Sequence, residues 1–234
     1  GEVGLLTRKV VIQGDDWSDA QHFGAHTIAM GGGTYRISHT EVRKCGQSFL
    51  LGRYCTHGHL AGEFSRSYVQ SNSIHHSFQR ITTIHGVRHF VVKHNFGYHV
   101  KGHSIFVEEF NQIEENLVAV TLRCTACLKS DIKPATFWTA SPRQFWRHNR
   151  AAGSVNDGYW LELPGHPHGP SFTDTVCPVH EKLGGFFNNT AHSNGVHGLR
   201  LYPVVLPYEN PCADRPNPFA IRFYNFTSLR TGQH

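Results

Sequence analysis

Two groups of side chains carry the chemistry open to this chain. The first joins imidazoles and carboxylates. His57 and His59 stand two apart in Cys55-Thr-His-Gly-His, a spacing that sends both to one side of a strand. His85, Glu108 and Glu162 follow, and His26 opens an earlier apolar run. Neutral imidazoles beside a carboxylate would hold a divalent ion, zinc or calcium, with His57, His59, His85 and His26 as the expected ligands. The alternative is a polar column whose histidines bond to nearby backbone. The second group is Arg8 with Asp15, Asp16 and Asp19. Glycosidic cleavage needs a proton donor and a base or nucleophile, usually two carboxyls about 5–10 Å apart, and an arginine can anchor a uronate. If the chain is an enzyme, Arg8, Asp15, Glu108 and Glu162 are its candidate catalytic residues. Otherwise Arg8 and Asp15 close a first turn of the fold through a salt bridge.

These residues cooperate only if the fold stacks them. Long helical patterns are nearly absent. Short β-branched and aromatic runs at 9–13, 26–30, 68–69, 90–93, 117–122 and 223–226 are separated by Gly, Asn, Ser and His, which reads as all-β. The runs repeat. Asn72 and Asn95 lie 23 residues apart, and the register recurs at Asn116, Asn149 and Asn189. Three positions before them stand Val69, Val92, Ile113, Trp146 and Phe186, all apolar; two before stand Gln70, Lys93, Glu114, Arg147 and Phe187. That alternation suits a strand with one buried face. Twelve positions after stand Ile84, Val107, Leu128, Leu161 and Leu201, and thirteen after stand His85, Glu108, Lys129, Glu162 and Tyr202.

A period of 21–23 residues with one Asn per turn predicts a right-handed parallel β-helix, a solenoid whose coils stack about 4.8 Å apart. Asparagine suits the turn because it tolerates left-handed backbone angles, and its amides can bond from coil to coil. Glu108 and Glu162 would then stand two coils, roughly 10 Å, apart. The longer gaps of 33 and 40 residues mark loops near 124–141 and 164–182, the second rich in Pro and Gly. No domain boundary is visible, so one β-helix domain over 1–234 is expected.

Composition narrows the partners. With 39% hydrophobic and 17% charged residues the chain is neither disordered nor a charged coiled coil, and no apolar run is long enough to span a bilayer. Gly1 follows no leader and Met30 is the one methionine, as expected of a piece of a larger protein. The net charge of +5 is spread out; its densest cluster, Arg143, Arg147, His148 and Arg150 around Phe145 and Trp146, reads as an amphipathic strand rather than a polyanion stripe. Nucleic acid is not an expected partner; an acidic polysaccharide or other extracellular proteins are. Nineteen histidines would add positive charge on mild acidification. Six cysteines fit an oxidising compartment. Cys124-x-x-Cys127 reads as a small disulfide loop in preference to half a zinc site. Cys177 with Cys212 joins two late loops, and Cys45 with Cys55 requires adjacent strands. Sequons at Asn188 and Asn225 fit a glycosylated, secreted route.

Several blocks resemble one family. They include residues 4–15, Leu51-Gly-Arg-Tyr-Cys-Thr-His57-Gly-His59, Ser73-Ile-His-His-Ser77, Thr83-Ile-His-Gly86, Gly158-Tyr-Trp160 and Phe187-Asn-Asn-Thr-Ala-His-Ser-Asn194. In order and kind these are similar to fibrocystin, fibrocystin-L and the cell-surface hyaluronidases, over nearly the whole chain. Leu163-Pro-Gly-His-Pro-His-Gly-Pro-Ser-Phe172 followed by Cys177-Pro resembles the fibrocystin branch more closely. The resemblance implies a parallel β-helix in the ectodomain of a large single-pass surface protein, often ciliary, with residues 1–14 the junction from an eight-glycine domain. It places His57 one coil before His85 in the same column. It also matches Arg8 and Asp15 to an Arg and acidic residues tied to activity in the hyaluronidases. Cys55, Gly58 and Val107-Glu-Glu-Phe110 depart from the family's pattern at the would-be site. The expectation is therefore a non-enzymatic scaffold, adhesion or ligand-binding module, with a metal-assisted hyaluronan-type glycosidase as the alternative.

Overall fold

The computed structural model describes residues 2–124, 127–213 and 217–232. The chain winds through three parallel sheets in a fixed order, coil after coil. The first sheet stacks eight strands, Val10–Gln13, Thr40–Cys45, Ser73–Ser77, Phe96–Lys101, Leu117–Leu122, Arg150–Ser154, Thr190–His192 and Thr227–Leu229. The second stacks seven, Thr27–Ala29, Thr56–Glu63, Thr82–Arg88, Ile105–Val107, Ala135–Thr139, Asp157–Leu161 and His197–Leu201. The third stacks six, from Arg36–Ser38 to Gly185–Phe187. All registered strand pairs are parallel, which makes this the expected right-handed parallel β-helix. Among the described residues no helix is long and apolar enough to cross a membrane.

Alternation decides what fills the axis. On the third sheet Val69, Val92, Ile113, Trp146 and Phe186 pair across successive coils, all 1% exposed or less. On the first sheet Val42, Ile74, Val118, Ala151 and Ala191 do the same, with Gly97 between Ile74 and Val118. A β-carbon on Gly97 would stand 2.7 Å from Ile81 Cδ1, so the coil narrows there because the residue is glycine. On the second sheet Ile105, Phe137 and Tyr159 stack inward, and the last two rings lie 4.8 Å apart and 12° from parallel.

The asparagine ladder is continuous. The backbone N–H and the side-chain Nδ2 of Asn72 both donate to Asn95 Oδ1 at 3.0 Å. The same pair of bonds joins Asn95 to Asn116, Asn116 to Asn149 and Asn149 to Asn189. Each Nδ2 also donates to a carbonyl of the third sheet, from Ile37 to Trp146. Left-handed backbone falls one residue earlier than asparagine's tolerance for it suggested. Ser71, His94, Glu115, His148 and Asn188 have φ between 53° and 57°, whereas the ladder asparagines do not have positive φ. The sharp turn is made by the preceding residue, so that the asparagine itself points inward. The cost of about 1 kcal/mol or more per left-handed residue is offset by the bonds it makes possible.

The loops differ in extent from the sequence reading. The first excursion runs from 123 to 134, because Ala135–Thr139 is already a strand of the second sheet. The second spans 162–184, between the strands ending at Leu161 and starting at Gly185. The expected strand at 223–226 reduces to one bridge, Tyr224 to Phe187, and Thr227–Leu229 forms the last strand instead. Cys45–Cys55, Cys124–Cys127 and Cys177–Cys212 are disulfides, which leaves Cys124 and Cys127 unavailable as zinc ligands.

Candidate functional site

The outer face of the second sheet assembles the site. Strand register sends two columns outward. One carries His57, Thr83, Phe106, Trp138, Trp160 and Arg200. The other holds His59 opposite His85, one coil before Glu108, with Glu162 just past Leu161. His59, not His57, is therefore the partner of His85, because Gly58 pairs with Ile84 and fixes the register. The 33-residue gap shifts the next coil. Thr139 takes the inward place expected of Leu128, and Ala140 follows it where Lys129 was expected. Lys129 instead opens a short 3-10 turn in the first loop. Between Glu108 and Glu162, one coil contributes only a methyl group.

Packing holds these side chains firmly. Phe106 and Trp138 stack at 3.9 Å, 10° from parallel, and the Arg80 guanidinium sits 3.7 Å from the centre of the Phe106 ring. Arg80 is itself gripped by Asp131 from the first loop, Nη2 to Oδ2 at 2.6 Å. Burial alone would raise the Asp131 carboxyl, but the charge of Arg80 and its hydrogen bonds bring it down to about 2. Trp138 Nε1 donates to Glu162 Oε2 at 3.0 Å, and His85 Nδ1 donates to Glu108. That hydrogen bond raises the His85 imidazole above its usual range against the opposing effect of burial. Glu109 beside it is raised by burial first and then by the Glu108 charge, and its Oε2 accepts from Val87 N–H.

Together with the second loop, this face encloses a groove of about 1030 Å³. Phe106, Trp138 and Ala140 form its floor, and Glu108, Glu109 and Glu162 point into it. Residues 164–179 form a wall, anchored where Cys177 bonds to Cys212. Phe106 and Trp138 were not anticipated as functional. Phe106 and Trp160 stand eleven positions after ladder asparagines, one before the apolar column, which is the signal that could have found them; Trp138 is hidden by the insertion.

The expected metal site is not assembled. Ring contacts join His57 to His59 at 4.9 Å, tilted by 58°, and His59 to His85 at 5.4 Å, stacked within 26° of parallel. His57 Nδ1 donates to Gly52 C=O at 2.9 Å. His57 Nε2 and His59 Nδ1 are buried without partners, but two nitrogens fall short of a zinc set and are wrong donors for calcium. Among the described residues no three His, Cys, Asp or Glu side chains are grouped to hold an ion. His26 lies outside the column and faces Arg53, with Nη1 to Nε2 at 2.6 Å. Burial drives His57 down to about 3, and burial followed by the charge of His85 lowers His59.

Arg8 and Asp15 are not brought together either. Arg8 Nη1 donates to the carbonyls of Leu5 and Thr7, and its backbone N–H to Glu41. Asp15 accepts from Trp17 N–H and Ser18 Oγ at the start of a one-turn helix, while Asp19 pairs with Lys44. Neither Arg8 nor Asp15 lines the groove. The basic cluster is an amphipathic strand: Trp146 is core, and Arg143, Arg147 and Arg150 pair with Glu181, Glu114 and Glu2. Asn188 and Asn225 are both exposed on adjacent coils, joined by a 2.9 Å hydrogen bond.

Three parallel sheets on one axis, with loops walling one flank, define a parallel β-helix domain with a lateral groove. The family model for the CEMIP β-helix matches residues 22–199, and the chain belongs to that family. It is 35% identical to fibrocystin-L of Mus musculus and 33% to that of Homo sapiens, in each case over 97% of the chain. It is 30% identical to the human cell migration-inducing and hyaluronan-binding protein over 93% of the chain, and 32% to the cell surface hyaluronidase of Danio rerio over 91%. The chain spans 6% of the length of either fibrocystin-L and about a fifth of the other two. Three disulfides fit the extracellular setting of such relatives.

Proposed function

We propose that this domain is a rigid extracellular scaffold whose lateral groove binds a glycan without cleaving it, within a larger fibrocystin-L-like surface protein. One observation carries the reading: an open groove of about 1030 Å³, with a floor of aromatic and small residues and walls bearing carboxylates. Sugar rings bind such a surface by packing their C–H groups against its apolar floor while their hydroxyls donate to carboxylates. A stack of coils supplies length and stiffness, so the groove is held in fixed geometry. The names of two relatives, one hyaluronan-binding and one a hyaluronidase, support a polysaccharide as the ligand class. Anchorage by a membrane span elsewhere in the parent protein, placement on a cilium and glycans on Asn188 and Asn225 belong to the same proposal. The test is calorimetric titration of the chain with defined oligosaccharides. Ala140→Trp, which fills the gap between Glu108 and Glu162 on the groove floor, is expected to abolish binding while circular dichroism of the strands stays unchanged; unchanged binding would sink the reading.

A second reading, glycoside hydrolysis, is favoured by one feature. Glu108 and Glu162 lie two coils apart, roughly 10 Å, close to the separation of an inverting carboxyl pair. Shortening of size-defined hyaluronan, with and without divalent ions, and its loss in Glu108→Gln would replace the first reading with this one.

A further inference from the structure

The chain as a whole is basic, with a formal charge of +5, but its groove is not. Glu108, Glu109, Glu162 and Glu181 line it against two guanidinium groups, Arg88 and Arg143. Arg143 is already committed to Glu181, Nη2 to Oε1 at 2.6 Å. Arg88 is exposed at the rim. His85 offsets Glu108 when it carries a proton, which leaves Glu109 and Glu162 facing the floor without a cation between them. The Trp138 N–H beside Glu162 is a neutral donor already in use.

Resting on the glycan-binding reading above, we propose that this groove takes an uncharged glycan chain and turns away chains bearing a carboxylate on every second ring. A polyuronate laid along the floor would bring its charges within a few coils of Glu109 and Glu162, in a half-buried setting where water screens them poorly. An uncharged ring meets no such repulsion, and its hydroxyls and amides donate to the carboxylates. Arg80, locked onto Asp131 beneath Phe106, and Arg200, lying over Trp160, cannot serve an anionic ligand here, and Arg88 at the rim is a single charge against Glu109 and Glu162.

Three oligosaccharides of matched length separate the possibilities in calorimetric titrations of the 234-residue chain at pH 7.4 and 50 mM salt. They are an N-acetylglucosamine hexamer (uncharged), a hyaluronan hexamer (alternating uronate) and a glucosamine hexamer (cationic). The uncharged hexamer is expected to bind at least about tenfold more tightly than the hyaluronan fragment. Glu162→Gln, which keeps the acceptor for Trp138, is expected to narrow that gap by strengthening hyaluronan binding. Hyaluronan binding as tightly as the uncharged hexamer, and lost in Ala140→Trp, overturns the proposal but leaves the glycan groove standing. The glucosamine hexamer outbinding both overturns it too. No binding by any of the three, or binding that Ala140→Trp does not change, overturns this proposal and the glycan reading together.

Discussion

The Asn116 side chain makes four hydrogen bonds inside the coil stack, and the residue is 1% exposed. Truncation to alanine strands the Val92 carbonyl and leaves Asn95 without the oxygen that accepts both of its N–H groups. Asn116→Ala is expected to cost about 2–4 kcal/mol in urea unfolding, the range for leaving several buried polar groups unsatisfied. A loss under 1 kcal/mol would mean that water takes over these bonds. The Arg80–Asp131 pair belongs to the same scale. Asp131→Ala abandons a buried guanidinium and removes the acceptor of His103 N–H, so a loss of about 3–5 kcal/mol is expected. Of these residues the ladder asparagines were legible, because a side chain that must bond to its own copy recurs in register. Asp131 was not, because its partner lies 51 residues away and neither residue repeats.

Among the elements, the loop of residues 162–184 decides whether the second sheet has a groove or an open face. Cys177–Cys212, which closes a 35-residue separation near one end of the stack, ties it down together with the Arg143–Glu181 ion pair and the packing of Leu163 and Val179. Cys212→Ser is expected to free the wall and weaken oligosaccharide binding at least about tenfold, while far-ultraviolet circular dichroism of the strands stays unchanged. Intact binding would show that the wall takes no part in recognition. The existence of both excursions was legible from the stretched asparagine spacing, but their ends were not. Ala135–Thr139 returns to the sheet inside the stretch read as loop 124–141, and the column read by fixed offset placed Lys129 where Ala140 belongs.

For the whole molecule the nineteen histidines act differently from a simple reserve of charge. Among the described residues burial lowers six, His26, His57, His59, His75, His76 and His103, the last to about 4, while His85 is raised. An imidazole held neutral in the fold but free to protonate when unfolded contributes stability that is fully present above pH 6.5. That contribution is lost as pH falls from there toward about 4 for His103 and about 3 for His57. His85 runs the other way: its contribution is present below pH 6.5 and fades as pH rises through its elevated value. Six against one, the unfolding free energy from urea titration, and with it the midpoint, should fall between pH 7 and pH 5, the free energy by up to roughly 1.4 kcal/mol per pH unit for each fully buried imidazole. His57→Gln should flatten part of that slope. A midpoint that holds steady or rises would contradict the assignment.

The chain's residue types alone settled the winding, the coil period, the inward columns of the third sheet and the extracellular chemistry of its cysteines. Those are local or strictly periodic properties, written wherever alternation meets a repeating amide. Which side chains share the outer face, and whether they meet, was left to the tertiary structure. A loop inserted in one coil moves every later position, and a one-residue change of register exchanges His57 for His59 beside His85. The groove exists only where two loops distant in sequence close over one flank. Its charge is likewise a product of packing, because Glu181 takes up Arg143 and Asp131 holds Arg80 beneath Phe106.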